Sequence, residues 1–428
     1  MEKNLPIIYE EMFLDCAFCF CDYANKKGVD LSKFNISLKY KQNLNSEQSE
    51  VIYNNESIDI YASTEKGMHV ALAKLLCHIE ANNKEFFGLN PKMPYRGLMV
   101  DLARQIHPVE YILEYIDECW LNGATHLQLH FTDNESFTLP IQSYPLLSSK
   151  GRTYTSEQIE LICEYAKKRG IIIVPEVDVP GHTAKFCQSY PELFGSGTTD
   201  NEMLGTMYIL PATEEVFDAL KTIFAEVAQM FPYSPLIHIG GDEAAISAWN
   251  ECKKTLKYME QNNIKDIHHM YAEFVKRTCE IVSDIGRTPV VWEGFSKEYN
   301  HLIPKNTLVI CWEYYYQTAE DLAKSGFTII NASWRPLYIV TGKDKWYFEP
   351  EEITKWNPWF WRNWWEKSLS YPDGVTIDKK GANVIGGQLC AWGDGLRDME
   401  DYKTGLQTEL QSIKTKLPLL CDKLFKTE

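Results

Sequence analysis

The chain has 428 residues, more than one ordinary core needs and enough for a barrel-sized domain plus a smaller one. Its 45% hydrophobic and 24% charged residues are the balance of a soluble globular protein, and a net charge of −16 argues against nucleic acid or an anionic membrane as the main partner. No apolar run nears the roughly 18 residues of a membrane span, and the N-terminal MEKNLPIIYEEMF has no apolar segment before a cleavage site, so a cytoplasmic protein with reduced thiols is expected.

Starting from the N-terminus, Cys16, Cys19 and Cys21 cluster without a second CxxC pair or a histidine at zinc-finger spacing. They read as buried packing thiols. Residues 36–38 and 58–61 read as strands, and 67–79 as an amphipathic helix with Val70, Leu72, Leu75, Leu76 and Ile79 apolar. Residues 1–93 are therefore expected to form a small α+β domain, with the proline-bearing stretch 88–94 as its linker.

From 94 to 428 the pattern changes. Eight apolar runs recur, at 97–102, 126–131, 171–177, 236–239, 289–292, 308–312, 328–330 and 384–389. Continuous apolar runs are what strands buried on both faces look like. Helical patterns separate them. Thr155 with Gln158 makes a capping box, Thr213 caps a second segment, and Thr318 with Asp321 opens a third. Gly123, Gly170, Gly286 and Gly326 each stand between a helix and the next strand. The expected architecture is an α/β fold, a (β/α)8 TIM barrel preceded by the small α+β domain.

Barrel chemistry sits at the C-terminal ends of strands. Gly240-Gly241-Asp242-Glu243 follows the fourth run, where two adjacent carboxylates are useful if their pKa values are pushed apart. An acidic surface turn reads the same way. Asp133 follows the second run, and Asp178 and His182 the third; His182 tunes the pair or is a satisfied buried histidine. Arg104 offers a fork of donors to hydroxyls or makes a barrel-end ion pair. Trp292, Trp312 and Trp392 each end a strand and converge as an apolar box for a sugar ring, although any one alone is as readily core. The tryptophan-rich stretch 346–365 reads as a lid or sugar platform, or as packing or a homodimer contact. No HxH, HExxH, GxGxxG or P-loop occurs, so neither a metal nor an organic cofactor is expected.

These motifs together carry a resemblance. Arg96-Gly-Leu-Met-Val-Asp-Leu-Ala-Arg104, His130-Phe-Thr-Asp133, Pro175-Glu-Val-Asp-Val-Pro-Gly-His182 and His238-Ile-Gly-Gly-Asp-Glu243, then Trp292-Glu, Trp312 and Gly386-Gly-Gln-Leu-Cys-Ala-Trp392-Gly-Asp394, resemble the family 20 glycoside hydrolases, the β-N-acetylhexosaminidases. The resemblance implies an exo-acting retaining enzyme that removes a terminal β-linked GlcNAc or GalNAc from an oligosaccharide or glycoconjugate. The substrate's own acetamido oxygen is the nucleophile and the intermediate an oxazolinium ion. By match, Glu243 is the acid/base, Asp242 holds the acetamido N–H, and Tyr338 hydrogen-bonds the acetamido oxygen. Asp133 and His182 tune the acid, with Asp178 behind His182. Arg104 and Asp394 grip the outer hydroxyls, and Trp292, Trp312 and Trp392 wall the pocket.

Three departures stand out. Ile339 and Val340 follow Tyr338 where the family usually has an Asp or Asn two residues on, Asp394 stands for the usual Glu, and Asn134 replaces a common second Asp. The rival readings are an ordinary two-carboxylate retaining β-glycosidase, a non-catalytic sugar-binding barrel, and a metal hydrolase.

Overall fold

The structure is a computed structural model that describes residues 5–54, 57–80, 87–196 and 208–427. Eight parallel strands close into a barrel: β1 (Tyr95–Asp101), β2 (His126–His130), β3 (Ile172–Glu176), β4 (Leu236–His238), β5 (Thr288–Trp292), β6 (Leu308–Cys311), β7 (Thr328–Asn331) and β8 (Val384–Ala391). Neighbours in sequence pair in order, and β8 closes the ring by pairing with both β7 and β1. Every residue of β1 is buried, as expected of a parallel strand covered on both faces.

The helices between strands follow from their ends. Thr155 and Gln158 form a reciprocal capping box on Ser156–Lys167, as do Thr318 and Asp321 on Ala319–Lys324, while the Thr213 hydroxyl caps Glu214–Met230. Gly123, Gly170, Gly286 and Gly326 all take left-handed φ between 68 and 83°, the conformation that stops a helix at low cost. On Glu214–Met230, Val216, Phe217, Leu220, Phe224 and Val227 are buried at helical spacing. Each such side chain stabilises by roughly 1.5–3 kcal/mol.

The N-terminal strands form a separate five-stranded mixed sheet in the order Ile8–Tyr9, Ile36–Tyr40, Ile58–Ala62, Ser49–Tyr53, Phe87–Leu89. Helix Leu14–Lys26 carries the three clustered cysteines, all buried, with burial pushing the Cys19 thiol up to about 12. The proposed linker 88–94 is shorter than expected, because Phe87–Leu89 pairs with Ser49–Tyr53 before the chain crosses to the barrel.

Two features shape the barrel mouth. A two-residue strand, Tyr338–Ile339, adds to the C-terminal end of β8 with Tyr338 opposite Cys390. The stretch 346–365 divides its work: Trp346 turns to the mouth, whereas Trp356 and Trp361 are buried beside the barrel, with the Trp361 indole donating to the Cys311 carbonyl at 3.0 Å. Among the described residues no helix is long and apolar enough to cross a membrane.

Candidate active site

The ends of β1 to β4 assemble a row of alternating charge. Asp101 at the end of β1 accepts the backbone N–H of Ala103 and Arg104 and the Arg104 guanidinium at 2.9 Å. Arg104 also pairs with Asp133 at 2.9 Å, and its Nε lies 3.4 Å from Asp394. Asp133 lies 3.0 Å from His130 Nε2 and 3.1 Å from His182 Nδ1. The far nitrogen of each imidazole faces another carboxylate: His130 Nδ1 lies 2.9 Å from Glu176, and His182 Nε2 lies 3.6 Å from Glu243.

Burial alone would strip these imidazoles of a proton. Glu176 and Asp133 instead hold His130 well above the usual histidine range, and Asp133 and Asp178 do the same for His182. Burial pushes the Asp133 carboxyl up, but Arg104 and His182 outweigh it and hold the group well below the carboxylate range. Burial likewise raises Glu243, and the hydrogen bond and charge of His182 bring it below its ordinary value. Asp178 and Asp242 go the other way. Burial raises both, and their closeness to other carboxylates raises them further, against the pull of His182.

The turn that presents the acids is tight. Gly240 has φ +73°, and a Cβ there would sit 1.8 Å from an oxygen of Asp178, so only glycine fits. His182 and Glu243 take left-handed φ of 54° and 43°, a conformation that costs a non-glycine residue of order 1–3 kcal/mol and is concentrated at functional sites.

The ends of β6 to β8 build the opposite wall from rings. Tyr338 stacks on Trp334 at 4.8 Å and on Trp312 at 6.3 Å, with Trp392 at 6.1 Å and Trp346 beyond Trp334 at 6.0 Å. The two walls enclose a cavity of about 270 Å³, with Asp394 at the Arg104 end. That is the scale of a single small ligand. Among the described residues, Asp242 Oδ1, the Tyr338 hydroxyl and the Trp334, Trp346 and Trp392 indole nitrogens are buried without a hydrogen-bond partner.

Two groups of ligand type lie close together: His130, Glu176 and Asp178, and Asp178, His182 and Asp242. A cation at either group would compete with the row. His130 already spans Glu176 and Asp133, and His182 spans Asp133 and Glu243.

The sequence profile described as the catalytic domain of glycosyl hydrolase family 20 matches residues 93–406. The chain belongs to that family. Similar curated proteins include the beta-hexosaminidase subunit beta of Felis catus, 29% identical over 71% of this chain and 56% of its own, and subunit B1 of Dictyostelium discoideum, 26% identical over 87% and 70%. The chain spans a little over half the length of the mammalian relatives it matches. A family 20 exo beta-N-acetylglucosaminidase from Vibrio harveyi, solved with N-acetylglucosamine, shares the fold at TM-score 0.73 and 21% identity, over 98% of this chain and 74% of that one. A beta-N-acetylhexosaminidase from Bacteroides fragilis does so at 0.71 and 22%, over 94% and 86%.

Ten of the eleven candidate residues of this family 20 chain border the cavity: Arg104, Asp133, Asp178, His182, Asp242, Glu243, Trp312, Tyr338, Trp392 and Asp394. Trp292 does not. It is buried one layer below, where its indole donates to Glu176 at 2.6 Å and its ring lies 5.8 Å from Trp392, so it supports the wall instead of forming it. Trp334 and Trp346 border the cavity in its place. Trp334 lies four residues past the end of the seventh apolar run, too far on to read as a strand-end residue. Val340, where the family usually has a polar residue nearby, borders the cavity and leaves the Tyr338 hydroxyl without a helper. Asn134 accepts the Ala184 N–H at 3.1 Å, tying the loop after β2 to the His182 loop. Glu293, next to Trp292, accepts the backbone N–H groups of Tyr314, Tyr315 and Tyr316 and so shapes the loop after β6. Burial pushes its carboxyl up to about 7.

Proposed function

We propose that the chain is a retaining exo-β-N-acetylhexosaminidase working by substrate assistance. The observation that carries this reading is a matched pair of buried polar atoms. Asp242 Oδ1 is an acceptor and the Tyr338 hydroxyl a donor, neither has a hydrogen-bond partner among the described residues, and both residues border the cavity that Glu243 enters. An acetamido group offers the complement, one N–H and one C=O, and leaving such atoms unpaired in a buried site is costly.

The chemistry follows from the proton inventory. His182 and Glu243 together hold one proton, resident on His182 while both groups are hydrated. A sugar filling the cavity excludes water and disfavours the charged pair, so the proton moves to Glu243. Glu243 delivers it to the glycosidic oxygen as that bond breaks. The acetamido oxygen, oriented by Tyr338, attacks the anomeric carbon and forms the oxazolinium ring. Positive charge develops on the acetamido nitrogen, which favours the ionised form of Asp242 at that moment. Glu243, now a carboxylate, takes a proton from water as it opens the ring, and configuration is retained. The oligosaccharide or glycoconjugate beyond the scissile bond leaves on the Glu243 side, since Arg104 and Asp394 close the other end. A cytoplasmic setting is part of the same proposal.

The test is hydrolysis of p-nitrophenyl β-glycosides of GlcNAc, GalNAc and glucose. Release from the acetamido sugars alone is expected. Comparable cleavage of the glucoside would favour the two-carboxylate rival, and no release from any of them a binding protein. A thiazoline analogue of the intermediate is expected to bind far more tightly than product.

A further inference from the structure

The C-terminal helix Tyr402–Lys426 lies beside the segment that follows Trp346. A groove of about 410 Å³ runs between that helix and Tyr347 and Pro350. Its helix side is Thr404, Gln407, Thr408, Gln411, Ser412 and Thr415. Their spacing of three and four residues puts them on one face. None of the six is charged or apolar, although the solvent face of a helix ordinarily carries charge and 24% of this chain is charged. The Thr408, Ser412 and Thr415 hydroxyls donate to the carbonyls four residues back, at 2.9 to 3.0 Å, which leaves their oxygens as acceptors. The Gln407 and Gln411 amides have no hydrogen-bond partner among the described residues.

The other side and the floor differ. Tyr347 is 57% exposed, with its hydroxyl 3.4 Å from Glu349. Lys416 borders the groove yet is 3% exposed, its ammonium 5.1 Å from the Tyr347 ring centre. Glu349 and Glu352 bear on it, but Glu352 is committed to Arg335 at 2.6 Å, and no hydrogen bond or salt bridge reaches the Lys416 ammonium among the described residues. Burial accordingly pushes the amine down to about 8.

We propose that this groove is a second carbohydrate site, taking a short oligosaccharide of N-acetylhexosamine. A sugar presents an apolar ring face to Tyr347, hydroxyls to the glutamine amides, and a hydroxyl or acetamido carbonyl oxygen to Lys416. The uncharged face suits neither a polyanion nor a polycation, and a face with no apolar residue beyond Tyr347 and Pro350 does not suit a hydrophobic protein partner. Trp346 borders the catalytic cavity and Tyr347, the next residue, borders the groove. A chain held in the groove is thereby kept close to the cavity, which raises the local concentration of chain ends. The choice of sugar rests on the hexosaminidase reading.

The experiment is calorimetric titration of the Glu243→Gln protein with chitotetraose, alone and with the cavity saturated by a thiazoline analogue. Two sites are expected without the analogue and one with it. Tyr347→Ala and Lys416→Met are each expected to weaken the second site by about tenfold, the worth of one aromatic or charged contact. In the otherwise unaltered enzyme both are expected to leave hydrolysis of p-nitrophenyl β-GlcNAc intact. A single site abolished by the analogue, or a second site indifferent to both substitutions, overturns the proposal, and so does equal binding of cellotetraose. Failure of the hexosaminidase reading shows elsewhere, as absence of p-nitrophenyl release and of thiazoline binding, while the dependence of chitotetraose binding on Tyr347 still reports on the groove.

Discussion

The two halves of the cavity wall are built on opposite terms. From β1 to β4 the side chains satisfy one another: Arg104 is held by Asp101 and Asp133, and each imidazole faces two carboxylates. From β6 to β8 rings pack on rings, and the polar tips of Trp334, Tyr338 and Trp392 have no hydrogen-bond partner among the described residues. Asp242 Oδ1 aside, the polar half pairs within the protein, so its task is to fix charge and proton position. The aromatic half is complementary to something outside it. The ligand of the proposed function, a hexosamine, has both surfaces, an apolar ring face and a polar edge, and each half matches one of them.

The comparison breaks first at Glu243, where the halves meet. Glu243→Gln keeps the shape and removes the acid of the proposed mechanism, so kcat is expected to fall by a factor of about 10² to 10⁴. Near-full turnover of p-nitrophenyl β-GlcNAc would take Glu243 out of the acid role. Next comes the aromatic half. Tyr338→Phe keeps every ring contact and deletes one donor, with an expected loss of about 10² in kcat, the scale for removing one oriented donor to a developing charge. A rise in KM with kcat unchanged would show that the hydroxyl binds ground state and transition state alike.

The polar half is sharpened by Asp133→Asn. The Asp133 carboxylate holds His182 above its ordinary value, so the anion strengthens the grip on the proton shared with Glu243. Removing it lowers that grip, and the proton leaves at lower pH. The alkaline limb of kcat/KM is therefore expected to move to lower pH, with a loss that is larger at pH 8 than at pH 5. A loss equal at both pH values would mean that Asp133 serves only to hold Arg104.

Much of this was legible in the sequence, for identifiable reasons. Eight apolar runs with capping residues and stop glycines between them specify parallel strands and helices, because buried strands and helix ends are local demands on residue type. Asp242 and Glu243 were legible because a strand end in a barrel is already the rim. Trp292 was misplaced because side-chain direction alternates along a strand. It points into the layer below and meets Glu176, and nothing in the sequence distinguishes it from Trp312. Glu176 and His130 read as a strand-end acid and a bare ligand type, since their partners come from other strands. Trp334 and Trp346 lie in the short helical turns Trp334–Leu337 and Asp344–Trp346, too short for any period to place a side chain.

The smallest expected effect lies where the halves touch at their outer end. Asp394 Oδ1 is 3.4 Å from Arg104 Nε, long for a hydrogen bond, and its side chain is about one-third exposed. Burial and the neighbouring Asp101 and Asp133 push its carboxyl up, against the pull of Arg104. It is thus loosely held where the aromatic half meets Arg104. Asp394→Glu extends the carboxylate by about one bond length, 1.5 Å. GlcNAc and GalNAc differ only at the 4-hydroxyl, which lies in the mean ring plane in the first and stands out of it in the second. An arm reaching in from the rim meets the in-plane hydroxyl first. The ratio of kcat/KM for GlcNAc over GalNAc is therefore expected to rise about three- to tenfold, the range of one hydrogen bond gained on one epimer alone. An unchanged ratio would assign discrimination at that carbon to Arg104 and the ring wall, and leave Asp394 as their support.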